Sequence, residues 1–235
     1  MTRIKAIVTD IEGTTTSIEF VHKVLFPYAA SALPDYVRAH QDNPVVAELL
    51  ADVRAQVDEP DADVERLIEV LLEWIAADRK VTALKALQGF VWEYGYESGA
   101  FTGHVYPDTT PNLRKWRDMG IALYVYSSGS ARAQQLLFGH SDAGDLRPLF
   151  SAYFDTAIGG KREVTSYLAI CEQIGVAAAD ILFLSDVVEE LDAAANAGMK
   201  TVQLVRDENV PVGRHPVAPN FDKIPHCVIP ATGTR

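Results

Sequence analysis

The chain has 235 residues, 48% of them apolar and 23% charged, with a net charge of −11. This balance is near the average for folded proteins and excludes a disordered chain, a fibre and a coiled coil; at this length roughly 70% of the unfolded surface can be buried, so no disulfide or structural-metal staple is needed. The acidity argues against nucleic acid or an anionic membrane as partner, and no apolar run approaches the ~18 residues of a membrane span.

The first apolar run, Ile4–Thr9, reads as a buried strand. The residues before it lack the long apolar stretch and small-residue cleavage site of a signal peptide. Residues 18–104 are different in character, with fifteen acidic and seven basic side chains and no β-branched runs. They read as a separate helical unit with a solvated acidic surface. A helix is expected over Val21–His40, interrupted by Pro27 and Pro34. A second follows Val45, Leu49, Val53 and Val57. A third follows Val64, Leu67, Ile68, Leu71, Leu72 and Ile75, with acids between them. A fourth runs from Thr82 to Tyr94 and stops at Gly95. Phe20, Tyr28 and Trp92 in this segment read first as core aromatics.

Beyond it, strands and helices alternate. Strands are expected at Ile121–Tyr126, Ile181–Leu184 and Thr201–Val205, with a short edge strand at Cys227–Ile229. Helices are expected at Pro111–Met119, Ala131–Phe138, Val164–Ile174 and Val188–Ala197. Gly120, Gly175 and Gly198 stand where helix C-terminal caps belong. This order implies an α/β fold: a doubly wound, Rossmann-like parallel sheet with helices on both faces and the helical unit inserted after the first strand. Cys171 and Cys227 show no metal or redox spacing, which points to a reduced, cytoplasmic setting. No long exposed apolar stretch is recognisable, which favours a monomer.

In such sheets ligands bind beyond the carboxyl ends of the strands. The first strand ends in Asp10-Ile11-Glu12-Gly13-Thr14-Thr15. The second ends in Ser127-Ser128-Gly129-Ser130. Lys161 follows Gly159-Gly160, and Ser185-Asp186 ends the third strand, with Glu189, Glu190 and Asp192 after it. Alone, each of these is an ordinary turn or helix cap. Together they fit phosphoryl transfer. Asp10 is suited to attack phosphorus as a nucleophile. Mg²⁺, a hard cation, would bridge Asp10, Asp186 and the phosphate. Lys161 would neutralise the remaining charge. Ser127 or Ser128 and backbone N–H groups would hold phosphate oxygens. Glu12 would protonate the leaving oxygen and then activate water.

These motifs resemble those of the haloacid-dehalogenase superfamily of phosphohydrolases, over 1–17 and 105–235. The resemblance makes that part the core domain and 18–104 the helical cap domain. It also implies that Glu12 reaches the metal through its backbone carbonyl, leaving its carboxylate free for proton transfer, and that Glu190 stands behind the metal ligands. The acid/base position departs from the superfamily's usual Asp-x-Asp-Gly-Thr by carrying Glu12. Together with Val125-Tyr126-Ser127-Ser128-Gly129-Ser130, Gln135–Ser141, Phe154-Asp155-Thr156 and Tyr94-Gly95-Tyr96, that departure is similar to the enolase-phosphatases of methionine salvage. This resemblance implies that a small phosphorylated diketone, 2,3-diketo-5-methylthiopentyl-1-phosphate, is enolised and dephosphorylated to acireductone with Mg²⁺. Other readings compete. One is a generic small-metabolite phosphatase of the same superfamily, and another is a binding protein on this scaffold that has lost catalysis, whose sign would be a missing nucleophile or lysine. A receiver-type signalling domain is half as long and carries its phospho-accepting Asp on a middle strand. A haloalkanoic-acid dehalogenase needs neither Glu12 nor a metal.

Overall fold

Strands β1 (Ala6–Thr9), β2 (Ala122–Tyr126), β3 (Ala152–Phe154), β4 (Ile181–Ser185), β5 (Lys200–Leu204) and β6 (Val217–Ala218) form one parallel sheet in the order 3-2-1-4-5-6. The computed structural model describes residues 4–225 and 229. The helices are, in chain order, α1 (Ile18–Phe20), α2 (Phe26–His40), α3 (Pro44–Val57), α4 (Val64–Ala76), α5 (Thr82–Glu97), α6 (Thr109–Asp118), α7 (Ala131–Gly139), α8 (Val164–Ile174) and α9 (Val188–Asn196). Two compact units result: Met1–Ile18 with Gly103–Arg235, and Glu19–Thr102.

In the sheet unit, every residue of β1 and of β4 is buried. Central parallel strands are covered on both faces, which is why they read as unbroken apolar runs. β1 pairs with both β2 and β4, the position at which the strand order reverses. Gly120, Gly175 and Gly198 all have positive φ and end helices, as their place after the apolar runs predicts. The sequence pattern misses β3 and β6. Their three and two residues are too short for any periodicity to register. Of the expected edge strand at Cys227–Ile229, only Ile229 lies among the described residues, and it is a bend rather than strand.

In the helical unit, Leu33, Val37, Leu50, Val53, Leu67, Leu71, Leu84 and Leu87 form the centre of one apolar core. The α4 stripe packs as its spacing predicts, with Leu67, Ile68, Leu71 and Ile75 buried. The α3 stripe does not. Val45 is exposed, and Val46, Leu50 and Val53 face inward. Repeated steps of four overshoot a helical turn by about 40° each, so the series from Val45 drifts off one face, whereas i, i+4, i+7 stays on it. Pro34 does not interrupt α2. The irregularity lies before Pro27, where Val21–Leu25 forms a π-turn and the Leu25 carbonyl accepts a 2.9 Å hydrogen bond from the Trp92 indole. α5 runs on through Gly95, where a side chain would collide with Phe101 and Tyr28. Phe20, Tyr28 and Tyr96 all pack edge-on against Phe101. No helix among the described residues is long and apolar enough to cross a membrane.

Candidate active site

The chain leaves β1 at Asp10, which is almost fully buried, and turns at once. The Ile11 carbonyl accepts from the N–H groups of Thr14, Thr15 and Thr16 at 2.9–3.1 Å. This folds Glu12 and Gly13 into a tight loop. Gly13 has φ +68°, and a Cβ there would run into the Asp186 carboxylate. Glycine therefore serves two ends, the left-handed backbone and the close approach of the loop that follows β4.

Lys161 sits between two carboxylates. Its Nζ lies 2.5 Å from Asp10 Oδ1 and 2.8 Å from Glu190 Oε2, and these three side chains are 9%, 3% and 10% exposed. Burial opposes the charge on Lys161, but the two carboxylates outweigh it and push its pKa up, so the ammonium stays charged. Ser185 Oγ donates to the same Glu190 oxygen at 3.0 Å. Burial, with Asp10 nearby, pushes the Glu190 carboxyl upward despite Lys161. Asp186 is pushed up to about 7, first by burial and then by Asp10, with Glu12 adding a smaller push in the same direction. One cation thus faces a surplus of carboxylates.

The end of β2 separates the three serines. Ser130 is the N-cap of α7 and accepts from the Ala133 N–H at 3.2 Å. Ser127 is buried and its Oγ accepts from the Gly129 N–H at 3.1 Å, while Ser128 is half-buried. Asp155, in the loop after β3, accepts from the N–H groups of Ala131 and Ala157, both at 2.9 Å. It ties that loop to the start of α7. Asp10, Lys161 and Glu190 are in direct contact, and Asp186 lies against Gly13. Ser127 and Ser128 stand at the end of β2, the neighbour of β1 on its other side.

Sequence reading misses a set of supports behind these groups. Arg206 donates to the Thr14 carbonyl at 2.7 Å and, through both Nη atoms, to Asp108 at 2.8 and 2.9 Å. Gln203 donates to the Asp186 carbonyl at 3.0 Å and to the Pro211 carbonyl at 2.7 Å, and accepts from the Gly213 N–H. Gln134 donates to the carbonyls of Gly129 and Phe154, both at 2.8 Å. Tyr167 donates to the Lys161 carbonyl at 2.6 Å. A polar residue inside an apolar strand, as Gln203 is in β5, is the signal that could have found one of them, because buried amides are hydrogen-bonded.

The donor set fits a hard divalent cation. Asp186 Oδ1 is buried and has no hydrogen-bond partner among the described residues. A buried carboxylate oxygen without a partner is costly unless a cation compensates it. Among the described residues no three acidic, His or Cys side chains converge on one point. Asp10 and Asp186 would therefore need other oxygen donors, such as a backbone carbonyl, water or substrate.

An all-parallel 3-2-1-4-5-6 sheet with Asp10 and Asp186 just past β1 and β4, and Lys161 in the loop between β3 and α8, is an arrangement that suits an α/β phosphohydrolase, and the family match shows a hydrolase. Residues 4–198 match the haloacid dehalogenase-like hydrolase model. The chain belongs to that family. It is 58% identical to Enolase-phosphatase E1 of Erwinia tasmaniensis, over 94% of this chain and 96% of that protein. It is 60% identical to Enolase-phosphatase E1 of Pseudomonas aeruginosa, over 94% and 98%. The crystal structure of the UTR4 protein of Saccharomyces cerevisiae superposes with a TM-score of 0.81 at 35% identity, over 94% of this chain and all of that one. L-2-haloacid dehalogenase of Xanthobacter autotrophicus, at 17% identity, shares the fold with a TM-score of 0.58.

Proposed function

We propose that this protein is a Mg²⁺-dependent enolase-phosphatase acting on 2,3-diketo-5-methylthiopentyl-1-phosphate. The single observation that carries the chemistry is the buried Asp10–Lys161–Glu190 contact beside the unpartnered Asp186 oxygen. The relatives named Enolase-phosphatase E1 support the choice of substrate.

Asp10 is the nucleophile. Its carboxylate attacks phosphorus, the bond from phosphorus to the ester oxygen breaks, and an aspartyl-phosphate forms. Glu12 gives a proton to the departing oxygen. It then takes one from the water that attacks the aspartyl-phosphate, so that phosphate leaves and Asp10 is restored. Lys161 holds phosphate oxygens together with Ser127, Ser128 and the N–H groups that open α7. Glu190 holds Lys161. Bound Mg²⁺ would be held by Asp10, Asp186 and the Glu12 carbonyl and would supply positive charge against the phosphoryl oxygens and the developing enolate. Enolisation takes a proton from the phosphate-bearing carbon, shifts the C–H electron pair into a carbon–carbon double bond and puts a proton on the adjacent carbonyl oxygen, before the ester is cleaved. We assign residues 18–104 the role of cap, selecting the chain beyond the phosphate.

The test follows near-ultraviolet absorbance and free phosphate together, with the diketone phosphate and Mg²⁺. The conjugated enol signal should rise first and phosphate should lag behind it. Phosphate without an enol signal, or equal turnover of simple sugar phosphates, would leave a phosphohydrolase but remove the diketone.

A further inference from the structure

The backbone that carries Lys161 makes only turn hydrogen bonds of its own, from the Gly159 N–H to the Thr156 carbonyl at 3.2 Å and from the Glu163 N–H to the Gly160 carbonyl at 3.0 Å among the described residues. Gly159 sits at φ +135° and Gly160 follows, so two residues without side chains precede the lysine. Such a segment samples many conformations unless something fixes it. Three side-chain hydroxyls do. Tyr126 donates to the Gly159 carbonyl at 2.9 Å, Ser166 to the Gly160 carbonyl at 2.8 Å, and Tyr167 to the Lys161 carbonyl at 2.6 Å. Three consecutive carbonyls each accept from a different residue. Tyr126 comes from β2, and the other two come from α8.

The two tyrosines also form one packed unit. Their rings meet edge-on at 5.5 Å, and the fully buried Tyr167 ring meets Phe183 at 5.1 Å. The Tyr126 ring lies 5.8 Å from Lys161 Nζ. Phenylalanine would fill the same space in this core. A buried hydroxyl is unfavourable unless hydrogen-bonded, so packing alone gives no reason for tyrosine at either position. The carbonyls of the lysine loop give one.

We infer that Tyr167, assisted by Tyr126, is a positioning residue for phosphate binding: its hydroxyl fixes the Lys161 carbonyl and thereby aims the ammonium group. The inference rests on Lys161 being the phosphate-binding cation. Tyr167 acts only through that lysine, because its hydroxyl is committed to the backbone.

The experiment is a double-variant cycle read by calorimetric binding of inorganic phosphate at saturating Mg²⁺. It compares the parent, Tyr167→Phe, Lys161→Met and the two combined, with thermal unfolding as the check on fold. Tyr167→Phe should weaken phosphate binding about three- to tenfold, the usual net worth of one hydrogen bond. In the Lys161→Met background the same change should have no further effect. Parental affinity in Tyr167→Phe, alongside a loss in Lys161→Met, overturns the inference and leaves the role of Lys161 standing. An equal loss with and without the lysine also overturns it, because the tyrosine then acts by packing. Parental affinity in Lys161→Met refutes the phosphate-binding role of Lys161 and takes the inference with it. Should Tyr167→Phe fail to fold, Tyr126→Phe, which frees the Gly159 carbonyl, carries the same expectations.

Discussion

Replacing Arg206 by methionine tests how firmly the loop after β1 is held. The Arg206 and Asp108 side chains are 6% and 11% exposed, and the guanidinium binds the carboxylate with both Nη atoms. Its Nε holds the Thr14 carbonyl, and its plane lies 4.0 Å from the Tyr106 ring and 5.1 Å from the Phe221 ring. Methionine keeps most of the stem but removes both guanidinium bonds from the Asp108 carboxylate, which keeps the Phe221 N–H at 2.8 Å. Breaking a buried pair on one side costs about 3–5 kcal/mol, a large share of the ~5–15 kcal/mol that stabilises a typical protein. The pH dependence gives a second handle. Burial opposes ionisation of Asp108, but the Arg206 fork and the Phe221 N–H outweigh it and hold the carboxyl below its usual range. That stabilisation is complete above the unfolded value of about 4 and is lost as pH falls through the lower folded value. Without the Arg206 fork, burial outweighs the backbone N–H groups that remain, and the same carboxyl shifts upward. The variant then loses stability as pH rises past about 4 toward its raised pKa. The difference between parent and variant should therefore be largest at pH 7 and shrink toward pH 4, measured by urea unfolding. A loss below about 1 kcal/mol, the scale of an ordinary exposed pair, or one that does not change with pH, would refute this account.

Gly13→Ala should lower stability by about 1–2 kcal/mol, the strain of a left-handed alanine, and should also weaken Mg²⁺ binding by displacing Asp186; calorimetry showing parental Mg²⁺ affinity would contradict the second part. Asp186→Asn should weaken Mg²⁺ binding and regain part of its activity at high Mg²⁺, whereas an unchanged Mg²⁺ dependence would reduce Asp186 to a turn residue. Glu12→Gln should keep Mg²⁺ affinity and lose about 10²–10⁴ in the rate of phosphate release, the usual worth of a general acid–base group. If Mg²⁺ binding disappears in that variant, the carboxylate itself is a ligand.

Much of the architecture was legible because burial writes itself into the sequence. β1 and β4 are central strands covered on both faces, and their apolar runs say so. β3 and β6 are edge strands of three and two residues and leave no comparable trace. The same holds in the helical unit. The α4 stripe has acidic residues between its apolar ones and packs as read, while α3 offers Val45 and Val46, Leu49 and Leu50 side by side. The i, i+4, i+7 spacing of Val46, Leu50 and Val53 keeps one face, and that is the set the fold buries. At the proposed site, Asp10, Glu12 and Asp186 stand out in the sequence as carboxylates just past strand ends, and Lys161 as a base after two glycines. Which serine caps α7 was not visible, since Ser127, Ser128 and Ser130 are alike in type and differ only in the backbone they meet. Asp108 and Arg206 lie 98 residues apart, and nothing local marks them as a pair.

The supports share one feature that explains why they escape a motif search and why they matter. Arg206 grips the carbonyl of Thr14, Gln134 that of Gly129, Tyr167 that of Lys161, and Gln203 that of Asp186. In each case a buried donor from elsewhere in the fold holds the main chain of a loop and does not itself occupy the loop's side chains. Catalytic groups work when they are aimed before the substrate arrives, because orientation achieved during folding need not be achieved during reaction. A partner on the side chain itself, as Glu190 is for Lys161, shares that group with an incoming phosphate. One that bonds a carbonyl does not. The chemistry of such a support is also generic, since any buried donor of the right reach serves. It therefore leaves no residue type at a fixed spacing, and it appears only when the fold brings residues such as Thr14 and Arg206 together.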